Sequence, residues 1–265
     1  MKTNLFSVLI TDCLDDNARG RQLARLSTLL PCATAFVGVN SDLEAAGNLI
    51  DALDAGGGNE GIILVNVAPR QHVQEKWENG TPFGYFWFEK TLVVATIDGR
   101  TLSLVKKLDL AKSVYVLDIP TIVEIMFRNG IVSKGEAAHI KETQFRSFEF
   151  LPRVAAYLLT EKKLPAKELP LSTIENAPSA IWWIDNFGNC KTTLLQREVT
   201  IKSDGKIDLT IGALPYIAHL RDVADGTAAV TEGSSGMVGK RFLEITVQGK
   251  DAAAELNLFS GMEVL

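Results

Sequence analysis

Leu5–Pro31 reads LFSVLITDCLDDNARGRQLARLSTLLP, and its reading decides the fold class. Leu5–Ile10 is a short apolar run that ends in Thr11-Asp12. From Ala18 onward Leu23, Leu26, Leu29 and Leu30 recur at helical spacing, and Pro31 stops the helix. A strand that runs into acidic residues and then a helix is an α/β opening. Asp12, Asp15 and Asp16 follow the strand's carboxyl end, where open α/β sheets bind ligands. Helix capping by Asp15, Asp16 or Asn17 competes with a ligand role. Asp12, earlier in the chain, is harder to explain as a cap.

Outward from this stretch the same alternation continues. Thr34–Val39 reads as a second strand, and Asp42–Leu53 carries Leu43, Ala46, Leu49, Ile50 and Leu53 at helical spacing. Gly56-Gly57-Gly58 follows, but with no helix and Lys-Ser/Thr behind it this is a connector, not a phosphate loop. Gly61–Val67, GIILVNV, is the near-continuous apolar run of a parallel strand buried on both faces, with Asn66 near its carboxyl end. Ala68–Pro82 is a polar loop holding Arg70, His72 and Trp77, long enough to serve as a lid. Phe83–Phe88 and Leu92–Ile97 are two strands joined at Glu89-Lys90. Asp98-Gly99 turns the chain into Thr101–Leu108, and Val114–Leu117 is another strand. Thr121–Phe127, Gly135–Ile140 and Phe150–Leu159 read as helices.

Glu161–Pro178, EKKLPAKELPLSTIENAP, has three prolines and no apolar period, and reads as a linker. Beyond it come short β-type runs: Ala180–Ile184, Thr192–Ile201, Lys206–Ile211, Thr227–Thr231, Arg241–Val247 and Gly261–Leu265, with a helical turn or two at Ala252–Leu256. The expected architecture is an α/β N-terminal domain with a mostly parallel sheet (residues 1–170) and a smaller all-β, barrel-like C-terminal domain (residues 171–265).

The 265 residues are 46% hydrophobic and 22% charged, with a formal net charge of −5. An acidic chain argues against nucleic acid or an anionic membrane surface as partner, which leaves small-molecule work as the default. No apolar run approaches the ~20 residues of a membrane span, and MKTNLFSVLITDC reads as a first strand rather than a signal peptide. Cys13, Cys32 and Cys190 are scattered and odd in number. They fit a reducing cytoplasm, with neither a disulfide framework nor metal-ligand spacing. His72, His139 and His219 lie far apart, so neither a metal nor a bound cofactor is expected.

Ile181–Thr193, IWWIDNFGNCKTT, feeds an apolar strand into a turn with a carboxylate, a glycine and two asparagines. Asp185 suits a cation or a sugar diol, and Asn189 offers the donor and acceptor that an adenine edge requires. A hairpin with ordinary turn residues is the competing reading.

Three segments together resemble the S-adenosylmethionine (SAM) hydrolase family, the SAM hydroxide adenosyltransferases related to SAM-dependent fluorinases and chlorinases. They are Ile10–Pro31, with TD, a second Asp four residues on, and a helix closing on Pro; Ile184–Thr193, IDNFGNCKTT; and Gly233–Leu265, with GSSG and then FLEITVQGKDAAAELNLFSGMEVL. The resemblance implies an N-terminal α/β domain, a barrel-like C-terminal domain and a homotrimer. It also implies SAM held between the N-terminal domain of one subunit and the C-terminal domain of the next. Asp12 would take the ribose hydroxyls and Asp16 would help hold the methionine end. Asp185 would pair with the methionine ammonium, Asn189 would read adenine, Phe187 would form an apolar wall, and Ser235 would touch the methionine carboxylate.

The implied reaction is attack by water or hydroxide at the ribose C5′, giving adenosine and L-methionine. At the positions that resemble the family's catalytic Asp, Arg and His, this chain has Asn66, then only Arg70 as a loose substitute, and Phe145. Neither Asn nor Phe can transfer a proton, a role typically worth about 10²–10⁴-fold. His72 is an alternative base. Three readings follow: a SAM-cleaving enzyme with a rearranged catalytic set, a binding module for SAM or adenosine, and a trimeric scaffold.

Overall fold

The structure, a computed structural model, describes residues 5–68, 81–161 and 163–265. Arg70, His72 and Trp77, and with them most of the expected lid, lie outside the described residues. The chain divides into two compact units, the first ending at Glu175 and the second running Asn176–Leu265.

In the first unit β1 (Phe6–Thr11), α1 (Asp16–Leu29), β2 (Thr34–Gly38), α2 (Asp42–Gly56) and β3 (Gly61–Asn66) alternate as the sequence predicts. β4 (Phe83–Phe88) and β5 (Thr91–Thr96) form a hairpin. There follow α3 (Ser103–Lys107), β6 (Ser113–Val116), α4 (Ile119–Arg128), α5 (Lys134–Glu142), α6 (Arg146–Glu149), α7 (Leu151–Glu161) and β7 (Lys167–Pro170). The sheet order is β2-β1-β3-β5-β4-β6-β7. β1 pairs parallel with β2 and β3, and β3 with β5, whereas β4 is antiparallel to β5 and β6, and β7 to β6. The mostly parallel sheet is therefore mixed at one side.

Local chemistry sets the boundaries. Asp15 caps α1 by accepting from the Ala18 N–H at 2.9 Å, and Ser41 caps α2 through Glu44. Gly57, in the left-handed region, ends α2. Leu9, Ile62, Leu64 and Val94 share a core with Leu26, Ile122, Met126 and Val154 from the helices. Their strand neighbours Ile10, Ile63, Val65 and Val93 are buried on the opposite face, the side on which Gly56 of α2 meets the Phe6 ring.

The stretch Glu161–Pro178 corrects the linker reading. Within it β7 pairs with β6 from Ser113↔Pro170 to Val116↔Lys167, and the Tyr85 hydroxyl bonds both the N–H and the carbonyl of Leu164. An edge strand tolerates Pro170 because one side of it needs no ladder bonds. Its partner lies far away in sequence, so local periodicity carries no sign of it.

The second unit holds β8 (Ile181–Ile184), β9 (Cys190–Leu195), β10 (Lys206–Leu209), β11 (Gly212–Pro215), β12 (Ala228–Met237), β13 (Lys240–Val247) and α8 (Ala252–Leu256). A four-stranded antiparallel sheet, β12-β13-β9-β8, and a two-stranded one, β10-β11, share a core that includes Ile181, Cys190, Leu194, Ile207, Ile245 and Val264. β9 stops at Leu195, short of the expected Ile201, because the Glu198 carboxylate accepts from the Leu195 N–H at 2.9 Å and a 3₁₀ turn follows. β12 runs past the expected Thr231, through Gly233-Ser234-Ser235, to Met237.

Candidate functional site

Within the first unit, the carboxyl ends of β1 and β3 bring Asp12 and Asn66 together. Thr11 and Asn66 are register partners, and the Asp12 N–H donates to the Asn66 carbonyl at 3.3 Å. β1 sends the chain to β2 on one side, and β3 lies on its other side, so this is the switch point at which open α/β sheets take ligands. Asp12 Oδ2 accepts from the Ala68 N–H at 3.1 Å. The Asn66 Nδ2 donates to Thr11 Oγ1 at 3.2 Å, which turns the amide carbonyl away from Thr11. Cys13 completes the group, its thiol 3.9 Å from both Asp12 Oδ1 and Asn66 Nδ2. Burial pushes the Cys13 thiol up from its ordinary value, with the Asp12 charge adding and the Thr11 hydrogen bond opposing.

Sequence reasoning missed Gln22 of α1. It is buried beside Cys13, and its Oε1 has no hydrogen-bond partner among the described residues. A polar residue on a helix's inward face is the signal that could have found it. Asp16 is the exposed first residue of α1, with the cap itself supplied by Asp15. Phe145 precedes α6 and is 70% exposed.

Within the second unit, Asp185, Phe187 and Asn189 share the turn between β8 and β9. Asp185 Oδ1 accepts from the N–H groups of Phe187 (2.9 Å) and Asn189 (3.0 Å), and Oδ2 accepts from Asn189 Nδ2 at 3.1 Å. The Asn189 side-chain carbonyl is thereby left facing away from Asp185. The turn closes on itself through Asp185 N to Asn189 O at 3.0 Å. Gly188 takes φ +82°, and a Cβ there would lie 2.2 Å from Asp251 Oδ1, so glycine is required twice over. Phe187 is 69% exposed. Cys190, just after the turn, is buried near the carboxylates of Asp251, Asp185 and Glu244. Burial first and those charges second push its thiol up to about 12.

Ser235 lies in a third group. Lys191 on β9 faces Glu244 on β13 across the sheet, and its Nζ is 3.0 Å from Glu244 Oε1, Ser234 Oγ and Ser235 Oγ. Sequence reasoning also missed Lys191 and Glu244. Glu244 falls in the β-type run Arg241–Val247, where a charge ordinarily marks a solvent face, and Lys191 lies just before the run read as starting at Thr192, so only the cross-strand pairing reveals them as partners. A cleft of about 240 Å³ in this unit is lined by Arg197, Glu232, Lys240 and Arg241 among others, and by none of the predicted site residues.

Among the described residues no cluster of His, Cys, Asp or Glu could hold a metal ion, and no helix is long and apolar enough to cross a membrane.

These features define a two-unit chain, with a mostly parallel mixed sheet and its helices first and a smaller antiparallel sheet after. No protein-family model and no curated protein matches the sequence. The structure is similar to an uncharacterized conserved protein from Thermotoga maritima, with 19% identity over 98% of this chain and 100% of that one and a TM-score of 0.64. It is also similar to a conserved hypothetical protein from Thermus thermophilus, with 20% identity over 98% and 100% and a TM-score of 0.57. At these identities the likeness shows a shared fold.

Proposed function

We propose that this protein binds SAM or adenosine and belongs with the SAM hydrolases that its motifs resemble. The observation that carries the reading is Asp12 beside Asn66 at the switch point of the parallel sheet, a carboxylate and an amide carbonyl suited to a ribose diol. Asp16 is assigned to the methionine end. In the second unit Asp185 is assigned to the ligand ammonium, Asn189 to the adenine edge, exposed Phe187 to an apolar wall, and Ser235 to the methionine carboxylate.

The finer architecture belongs to the same proposal. Isolated bridges Tyr216↔Val230 and Ala180↔Glu263 support a barrel-like second unit. A homotrimer follows from the family resemblance alone. The three free cysteines suit a reducing cytoplasm.

In the reaction of the family, a water oxygen bonds to the ribose C5′ as the C5′–S bond breaks. The bonding pair leaves with sulfur as neutral methionine, and one proton is released. A second reading, binding without cleavage, is favoured by two placements. The Asn66 amide cannot accept that proton and donates to Thr11, and Phe145 offers only an exposed ring.

Calorimetric titration with SAM and with adenosine, alongside chromatography for released adenosine, tests both readings. Binding with adenosine release supports the enzyme, and binding of intact SAM supports the silent module. A chain that binds neither ligand refutes the proposal.

A further inference from the structure

We propose that Lys191 is a specificity-determining residue for the carboxylate end of the ligand, acting from beneath the Gly233–Ser235 bulge by orienting the Ser234 and Ser235 hydroxyls. The inference rests on the SAM reading above and adds to it a positioning residue and the reason a carboxylate is preferred.

β12 and β13 pair at Glu232↔Leu243 and again at Gly236↔Arg241, so Gly233, Ser234 and Ser235 bulge out of the ladder opposite a single residue, Phe242. Charged side chains contact the bulge from both sides. Glu244 Oε1 accepts from the Ser234 N–H at 3.2 Å as well as from Lys191. Gly233 permits that approach, since a Cβ there would lie 2.5 Å from the Glu244 side chain. Arg241 Nη1 donates to the carbonyls of Ser234 and Gly236. Those carbonyl dipoles therefore face a guanidinium rather than any incoming anion.

Lys191 is only 7% exposed. An ammonium has three protons and no acceptor, so its bonds to Ser234, Ser235 and Glu244 use all three, and it has no lone pair with which to act as a base. A hydroxyl oxygen that accepts from an ammonium becomes a better donor and must direct its proton elsewhere. Ser235 is 1% exposed, whereas Ser234 is exposed, so Ser234, rather than the Ser235 that the resemblance implies, is the hydroxyl that offers its proton outward. A buried ion pair is commonly replaceable by apolar residues at no loss of stability, so stability alone is a weak reason for a lysine here.

The test compares SAM, decarboxylated SAM (which keeps the amine and sulfonium) and adenosine, titrated calorimetrically into the full chain and its variants. Lys191→Met should weaken SAM binding by about tenfold to a hundredfold while moving decarboxylated SAM and adenosine less than about threefold. Removing Lys191 alone leaves Glu244 buried without its cation, so Lys191→Met with Glu244→Gln provides a neutral version that should behave alike. Ser234→Ala should produce a similar selective loss, and combining it with Lys191→Met should add little, because both remove one path to the same carboxylate. Equal losses for all three ligands in a folded variant would overturn the inference and leave the SAM reading standing. Wild-type protein that binds SAM no better than decarboxylated SAM would also overturn it. Wild-type protein that binds none of the three ligands would overturn the SAM reading and this inference with it.

Discussion

Asp185 accepts three hydrogen bonds from its own turn, two on one oxygen and one on the other. A carboxylate has about four acceptor sites, so the turn role and a ligand role can coexist, and substitution separates them. Asp185→Ala removes all three bonds and should lower stability by about 1–3 kcal/mol in urea denaturation. Asp185→Asn keeps an oxygen for the two backbone donors but loses the charge. It should stay closer to wild type in stability while weakening SAM far more than adenosine; equal loss for both ligands would contradict the ammonium assignment. Cys190 gives a pH signature from the same turn. Its folded-state value is raised from 9.0 to about 12, so the neutral thiol's contribution is complete below the unfolded value and is lost as pH rises toward 12. The stability gap between wild type and Cys190→Ala should therefore narrow, by on the order of 2 kcal/mol, between about pH 8 and about pH 11. A constant gap would mean that water reaches the thiol. That Asp12 and Asn66 each end an apolar run was legible. Their pairing, like that of Lys191 with Glu244, was not, since a strand's period tells which residues share a face but not which strand lies beside it.

At the scale of elements, the turn between β8 and β9 is fastened to α8. The Ala253 N–H donates to the Gly188 carbonyl at 3.1 Å, and Asp251, which caps α8, occupies the space a Gly188 side chain would need. Gly188→Ala combines left-handed backbone strain with a contact 2.7 Å from the Asp251 Cα. It should cost about 2–4 kcal/mol, read as a lowered urea midpoint with an unchanged denaturant slope. A change under about 0.5 kcal/mol would mean that α8 moves freely away from the turn. Elements of the first unit were readable wherever burial and period agree: β3 is apolar up to its last residue, Asn66, because both of its faces are covered. β7 was hidden because it owes its existence to the free edge of β6 rather than to its own residues. The end of β9 was hidden for a related reason, a single carboxylate reaching back to the Leu195 N–H.

Turnover is a property of the whole chain, because binding groups and proton-transfer groups must serve one ligand together. The groups proposed to bind the ligand are Asp12, the Asn66 carbonyl and the Asp185–Asn189 turn. The positions that resemble the family's acid–base set hold an amide and a phenyl ring. If those two positions are what silences the chain, restoring their chemistry should restore activity without altering affinity. Asn66→Asp with Phe145→His should therefore raise adenosine release from SAM by about 10²-fold or more, since each proton-transfer group is typically worth that much. The SAM Kd should change little, because neither substitution removes a proposed ligand contact except the Asn66 carbonyl, which aspartate retains as a carboxylate oxygen. The pH profile supplies an independent check. Activity that depends on a neutral imidazole should rise through the histidine range, near about pH 6.5, and then level off. A folded double variant that binds SAM as tightly as wild type yet releases no more adenosine would show that these positions do not correspond to the family's catalytic set. The chain would then be a binder by architecture, and not an enzyme that had lost two side chains.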